Sequence, residues 1–182
     1  MATGRVNVGG GGLKIKSSKT YKTKLEDSYS RLVVDEYDIN NSIFLISSYL
    51  DSSSSSGAHL SSTAVMATSE SNTRVRLERG SSNLYAGVNL TILTISGHKK
   101  ILNYKITVKT EINEEFELIG FTDPLKIIYF ESYLISSGSS ASTANQAISF
   151  VKKSDGKVYA QILAPKQQLY GERTTNYQFI QL

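Results

Sequence analysis

The stretch from Arg74 to Ser96 constrains the fold most strongly, because its side chains alternate between apolar and polar types. Val75 and Leu77 alternate with charged residues, and a longer apolar run extends from Leu84 to Ile95. Alternation with a period of two is the pattern of a half-buried β-strand. Since residues 80–83 supply turn chemistry between the two runs, we predict a hairpin at the centre of an antiparallel sheet.

Strand patterns of the same kind recur along most of the chain, and no amphipathic helix of ordinary length interrupts them. The clearest runs cover residues 42–50, 59–68, 101–110, 125–134 and 157–163. The Asp155-Gly156 pair between two apolar runs is typical of a tight hairpin turn. The sequence therefore predicts an all-β protein built as an antiparallel β-sandwich with an extended N-terminal arm.

Two segments resemble each other and suggest an internal repeat. Residues 43–53 read IFLISSYLDSS and residues 127–137 read IIYFESYLISS, so that Ser48-Tyr49-Leu50 matches Ser132-Tyr133-Leu134. The match predicts either two small related modules or one larger sandwich with two related halves, and the sequence leaves both possibilities open. We expect an extended docking arm at 1–24, a β-sandwich module at 25–110, and a second module or half-sandwich at 111–182.

The first two dozen residues have the composition of an arm. A run of four glycines at 9–12 cannot pack a core, and short alternating segments flank it on both sides. We expect the arm to add a strand to a neighbouring sheet, with a floppy terminus as the alternative. The expected docking residues are Arg5, Val6, Val8, Gly9, Gly10, Leu13 and Ile15.

The segment ATGRVNVGGGG at residues 2–12 resembles the N-terminal leader of tail-fibre and other tail-associated proteins of phages that infect Gram-positive bacteria. The text from Ala64 to Ile95 more loosely resembles small β-sandwich modules of phage and bacteriocin-like tail proteins. The resemblance implies a structural virion protein, made in the host cytoplasm, that assembles with other tail proteins and with copies of itself. Because no repetitive shaft follows the leader, a short baseplate, fibre-adaptor or tail-decorating component is favoured over a long fibre.

Composition bears on the other classes of partner. The formal net charge is only +4, and the lysines between residues 14 and 24 lack the interleaved aromatic residues typical of single-strand nucleic-acid binders. No run approaches the roughly 20 apolar residues of a membrane helix, and the first residues lack the apolar core of a signal peptide. We therefore expect neither nucleic acid nor membrane as a partner.

The sequence contains few of the residue types and motifs that usually act in catalysis. The chain has no cysteine, which excludes disulfides and thiolate metal sites, and its histidines are His59 and His98. No G-x-S-x-G nucleophile turn occurs, and no Gly-Lys-Ser or Gly-Lys-Thr follows the glycine run. We therefore expect a protein that is not an enzyme and holds no cofactor or metal.

An alternative function is a receptor- or glycan-binding module at the tail tip. The chain has 11 tyrosines and no tryptophan, and aromatic faces bind sugars in many sandwich modules. The candidate ligand-binding residues neighbour predicted loops and are Tyr49, Tyr85, Tyr133 and Tyr170.

Overall fold

A computed structural model of the chain describes residues 12–50, 64–80, 85–108, 112–136, 147–164 and 172–182. Within these ranges, twelve strands form four three-stranded antiparallel sheets, and the helical segments are short 3-10 turns at 39–41 and 124–126. The prediction of an all-β fold is confirmed. No helix in the described ranges is long and apolar enough to cross a membrane.

The first half of the fold is a sandwich of two sheets. Its strands are β1 (Lys14–Leu25), β2 (Tyr29–Val33), β3 (Ser42–Leu50), β4 (Val65–Ser71), β5 (Arg74–Arg79) and β6 (Ala86–Ser96). Sheet A has the order β1-β6-β3 and sheet B the order β2-β5-β4. Val75 and Leu77 of sheet B pack in one buried cluster with Val88 and Leu90 of sheet A, so the apolar faces of the central strands meet across the core.

The second half is a sandwich of the same kind. Its strands are β7 (Lys100–Val108), β8 (Ile112–Glu117), β9 (Ile127–Ser136), β10 (Ala147–Lys152), β11 (Val158–Ala164) and β12 (Glu172–Gln181). Sheet C has the order β7-β12-β9, and sheet D, read from its other edge, has the order β8-β11-β10. Ala160 and Ile162 of β11 pack against Tyr177 and Phe179 of β12 in a second buried core.

The two halves have the same strand order, so each strand from β1 to β6 has a counterpart six strands later in the described chain. The 3-10 turns correspond as well. The carboxylate of Asp38 accepts a hydrogen bond of 3.0 Å from the Asn40 backbone N–H, and Asp123 accepts one of 3.0 Å from Leu125. The repeat by strand order divides between β6 and β7, whereas the sequence analysis places residues 100–110 with the first module.

The predicted hairpin between the runs at 74–79 and 84–96 is wrong. β5 pairs with β2 and β4, and β6 pairs with β1 and β3, so each strand is the centre of a different sheet. The physical reason is that each strand carries apolar residues on one face, Val75 and Leu77 in β5 and Val88, Leu90 and Ile92 in β6. A sandwich buries both faces at once by placing the strands opposite each other, and pairing them side by side does not.

The second half of the predicted arm is also a strand of the fold. β1 pairs along the whole of β6, from Lys14 opposite Ser96 to Leu25 opposite Ala86. Leu25 is completely buried and Tyr21 packs against the same core, which supplies the apolar contacts that a free arm lacks. Residues 14–24 are therefore an edge strand of sheet A.

The hairpin predicted at Asp155-Gly156 is present. β10 and β11 pair from Lys152 opposite Val158, and the backbone N–H of Lys153 donates to the carbonyl of Lys157 at 3.0 Å. Gly156 has a φ of +80°, a left-handed conformation that glycine adopts without a steric penalty. Turn chemistry in the sequence was sufficient to place this hairpin.

Candidate docking interface

The two halves join where sheet C crosses the open side of the first sandwich, at the edge strands β3 and β4. The Ala67 backbone N–H donates to Ser132 Oγ at 3.1 Å, and Asn176 Nδ2 donates to the Ala67 carbonyl at 3.0 Å. The Phe44 backbone N–H donates to Gln178 Oε1 at 2.7 Å. Side chains of sheet C thus satisfy backbone groups that edge strands otherwise leave unpaired, which also prevents uncontrolled strand addition at these edges.

An apolar cluster extends this junction at one end. Ile43 and Ile95 of sheet A and Ile180 of β12 are almost completely buried together. Leu13 packs against the same cluster, so one of the predicted docking residues contacts its own chain. The junction therefore combines a dry apolar end with a hydrogen-bonded polar part, as stable protein interfaces do.

Strand β12 is buried on both faces because it belongs to two packing layers. Tyr177 and Phe179 point into the core of the second half, while Asn176 and Gln178 point toward the first half. Burial, together with the nearby Glu131 carboxylate, raises the pKa of Tyr177 well above its usual range. The alternation in β12 thus separates a core face from an interface face, and the sequence analysis did not distinguish that interface face from solvent.

Beyond the apolar cluster, no other described part of the chain covers the outward face of sheet A. Asn89 Nδ2 donates to Ser47 Oγ at 3.3 Å, and the hydroxyls of Thr20 and Thr91 lie 2.8 Å apart. Lys22 is exposed in register with Asn89. This face is therefore polar and basic, with rows of amide and hydroxyl groups that run across three strands.

Two of the predicted ligand-binding tyrosines lie at one end of this open face. Tyr49 pairs with Gly87, and its ring occupies the space where a side chain at Gly87 would stand. On the other side of Gly87, the Lys24 ammonium lies 4.3 Å from the centre of the Tyr85 ring. Tyr49 is 52% exposed and Tyr85 is 46% exposed, so both rings are accessible to a partner.

Tyr133 has a different setting from Tyr49, although the sequence comparison aligned the two. It lines a cavity of about 280 Å³ between β3, β4 and β9, together with Ile46, Ser48 and Glu131. The Arg173 guanidinium lies 4.0 Å from the centre of the Tyr133 ring and donates to Glu131 Oε1 at 3.2 Å. The cavity is near the lower limit of ligand pockets, and Arg173 contacts both Tyr133 and Glu131 on its wall. We therefore assign these residues a structural role at the junction.

Of the remaining predicted site residues, Ile15 lies in the described part of the chain and the others lie outside it. Ile15 of β1 is 51% exposed and pairs with Ile95, so its docking to a neighbour stays a prediction. Outside the described residues lie Arg5, Val6, Val8, Gly9, Gly10, Tyr170 and His59. The serine-rich runs at 51–57 and 137–142 also lie outside them.

In the described part of the chain, the side chains that could bind a metal ion do not cluster. No group of three or more His, Asp or Glu side chains there is placed to hold a metal ion. His98 is partly buried, and burial lowers its pKa, which favours the neutral ring. Its Nδ1 atom finds no hydrogen-bond partner among the described residues.

The sequence analysis missed Ser132, Asn176 and Gln178 as the residues that join the halves. Their alternation with apolar residues looked like that of a solvated strand face. One signal was available, because β12 carries uncharged amides where the exposed strand β1 carries lysines. Comparison of the chain with protein-family models, with curated proteins and with solved structures finds no match.

Proposed function

We propose that the chain is a structural component of a phage tail or a phage-tail-like particle, where it acts by assembling with other proteins. A baseplate, fibre-adaptor or tail-decorating position fits a protein of this size. The leader-like segment at 2–12 supports the proposal, because it leads directly into β1 at the edge of sheet A. A partner that holds the leader would therefore lie close to the first residues of the edge strand β1.

The observation that carries the proposal is the way in which the halves are joined. Ser132, Asn176 and Gln178 bind the backbone of edge strands that belong to another sandwich. This is an assembly device, since it recognises a strand edge by main-chain hydrogen bonds and does not depend on the partner's side chains. A protein that joins its own units in this way has the chemistry needed to join others.

The direct test is to look for the chain in particles. Antibodies raised against the purified protein should label phage or tail-like particles released by the strain that encodes it, at a fixed position in electron micrographs. Mass spectrometry of gradient-purified particles should find the chain in constant ratio to the tail-tube protein. Particles that lack the chain in both measurements would contradict the proposal.

A receptor- or glycan-binding module at the tail tip is the second candidate function. Tyr49 and Tyr85 favour it, because both rings are exposed around Gly87 beside the ammonium of Lys24. Aromatic faces next to polar donors are suited to bind sugar rings.

Labelled protein should then bind host cells and isolated wall polysaccharide, and replacing Tyr49 and Tyr85 by alanine should abolish that binding. Tyr29→Ala is the matched control, because Tyr29 is 51% exposed and also carries a cation over its ring, but it lies on sheet B. Equal binding by the wild type and by the Tyr49 and Tyr85 variants would exclude this role for the open face.

A further inference from the structure

We propose that the open face of sheet A binds a second copy of this chain, along the edge strand β10 of that copy. This inference rests on the proposed function and deepens it by naming one partner and one surface. The reason is that the two halves of the chain match each other in certain side chains as well as in strand order.

The correspondence is a row of three identical residues in register across three strands. In sheet C, Asn176 lies between its two cross-strand neighbours, and the row reads Lys105, Asn176, Ser132. In sheet A, on the counterpart strands, the row reads Lys22, Asn89, Ser47. We call these the inner row and the outer row. Both face away from the core of their own sandwich, because Val88 and Leu90 beside Asn89, and Tyr177 beside Asn176, are core residues.

The inner row shows how three such residues bind an edge strand that lies against them. Ser132 accepts from the Ala67 N–H and Asn176 donates to the Ala67 carbonyl, while the Lys105 ammonium lies 3.7 Å from the Glu78 carboxylate. The outer row presents the same amide, hydroxyl and ammonium in the same order. Lys22 and Ser47 are exposed and Asn89 is half-buried, so this row has room for an edge strand.

The edge that matches the outer row is β10, the counterpart of β4. In β4, Met66 and Ala67 are completely buried, and Ser132 and Asn176 of the second half cover the edge of the strand at Ala67. In β10, by contrast, Ile148 and Phe150 are only half-buried and Ser149 is exposed. Since β10 has the place and direction of β4 in its sandwich, its inward-facing residues present their backbone groups to the free edge as Ala67 does.

A second copy satisfies both open surfaces at once, because each chain carries one outer row and one β10 edge. The contact is heterologous, so it generates a ring if the rotation closes and a filament if it does not. The apolar end of the sheet A face, formed by Ile43 and Ile95, is already covered within the chain by Ile180 of β12. The surface left for a second copy is polar, and we therefore expect association weaker than the internal junction, in the micromolar range.

Cross-linking between two single-cysteine variants tests this pairing, since the chain has no cysteine of its own. Tagged Leu45→Cys protein is mixed with untagged Ser149→Cys protein and treated with a short bis-maleimide. Leu45 is exposed on the same face of β3, two residues from Ser47, so this variant keeps all three residues of the outer row. Asn113→Cys is the control for the second copy, because Asn113 is exposed on β8, the opposite edge strand of the same sheet. We expect mixed dimers with Ser149→Cys at several times the yield found with Asn113→Cys.

Adding Asn89→Asp to the tagged copy should lower the mixed-dimer yield about tenfold, because the amide donor is replaced by an acceptor. Circular dichroism verifies that this variant is folded. Equal yields with the two cysteine positions, or a yield that Asn89→Asp leaves unchanged, would overturn the inference. Particles that contain the chain without such cross-linking would refute this inference alone, whereas cross-linking by a chain missing from particles would refute only the proposed function.

Discussion

Arg79 shows how one buried charge can hold a turn in place. It is 3% exposed at the end of β5, where its Nε donates to the Asp27 carbonyl and its Nη2 to the Glu26 carbonyl, both at 2.8 Å. Burial lowers the pKa of Arg79, yet an arginine keeps its charge at neutral pH. The residue thereby ties the turn between β1 and β2 to the centre of sheet B.

Replacing Arg79 by methionine keeps most of the apolar stem but removes these donors. Because two backbone carbonyls lose a buried, charged donor, we expect the free energy of unfolding to fall by about 2–3 kcal/mol. Urea denaturation measures the change. Arg31→Met is the control, since Arg31 is exposed and its bond to Glu70 should contribute less than about 1 kcal/mol. Equal losses in the two variants would refute this account of Arg79.

Tyr177 makes the stability sensitive to alkali. Its pKa is raised in the folded state, mainly by burial, so the folded protein holds the phenol proton more tightly than the unfolded chain does. The resulting stability is fully present below the unfolded pKa of about 10 and is lost as the pH rises above it. Tyr177→Phe should show a shallower fall of the urea midpoint between neutral and alkaline pH. An unchanged slope would show that Tyr177 is not the group responsible.

Single residues could be interpreted from the sequence where their role is local. The left-handed Gly156 and the buried Val75 follow from turn chemistry and from alternation. Tyr49 and Tyr133 could not be distinguished, because the sequence match aligned Ser48 with Ser132, whereas strand pairing makes Ser47 the counterpart of Ser132. A shift of one residue moves a side chain to the other face of a strand, so Tyr49 is open and Tyr133 lines the junction cavity.

Among the secondary-structure elements, the edge strands determine how the two halves are joined. Asn176→Ala should reduce the free energy of unfolding by about 1–3 kcal/mol, because the buried Ala67 carbonyl loses its donor. Asn89→Ala is a matched control in the same register position of sheet A, where nothing in the described chain covers the face. In dilute protein we expect Asn89→Ala to change stability by less than about 0.5 kcal/mol. Similar losses of stability in both variants would contradict the conclusion that the inner row is covered and the outer row is open.

The hairpin between β10 and β11 offers a second test at this scale. Gly156→Ala meets no neighbouring atom within 4 Å, so its effect should come from the left-handed backbone alone. We expect a loss of about 1 kcal/mol in thermal or urea unfolding. Ser154→Ala, in the same turn, should stay within about 0.5 kcal/mol of the wild type. No loss for Gly156→Ala would mean that the turn adopts another conformation.

Element boundaries were largely predictable, while pairing partners were not. Alternation located β3 at 42–50 and β7 within a residue or two of Lys100–Val108. It could not show that β5 and β6 belong to different sheets, because periodicity describes which face of a strand is buried and not which strand lies beside it. For the same reason, β1 was taken for an arm although its partner β6 was recognised as a strand.

At the scale of the whole molecule, the chain uses one sandwich topology twice and joins the two copies through the edges of the first. Within the described residues, duplication leaves β10 of the second sandwich and the outer row of the first without a covering strand. Repeat proteins solve the same problem with terminal caps or by adding further units. The sequence comparison detected the repeat, but the matching rows became visible only when three strands were aligned by their pairing.

The central claim is that this molecule is a building unit that joins further units by the chemistry of its own junction. The most direct test is the mass of the purified full-length chain by light scattering across the micromolar concentration range. We expect the mass to rise from the 20.0 kDa of one chain toward multiples of it as the concentration increases. We expect the Asn89→Asp variant to keep the mass of one chain at every concentration. A mass of one chain for the wild type at every concentration would contradict the claim.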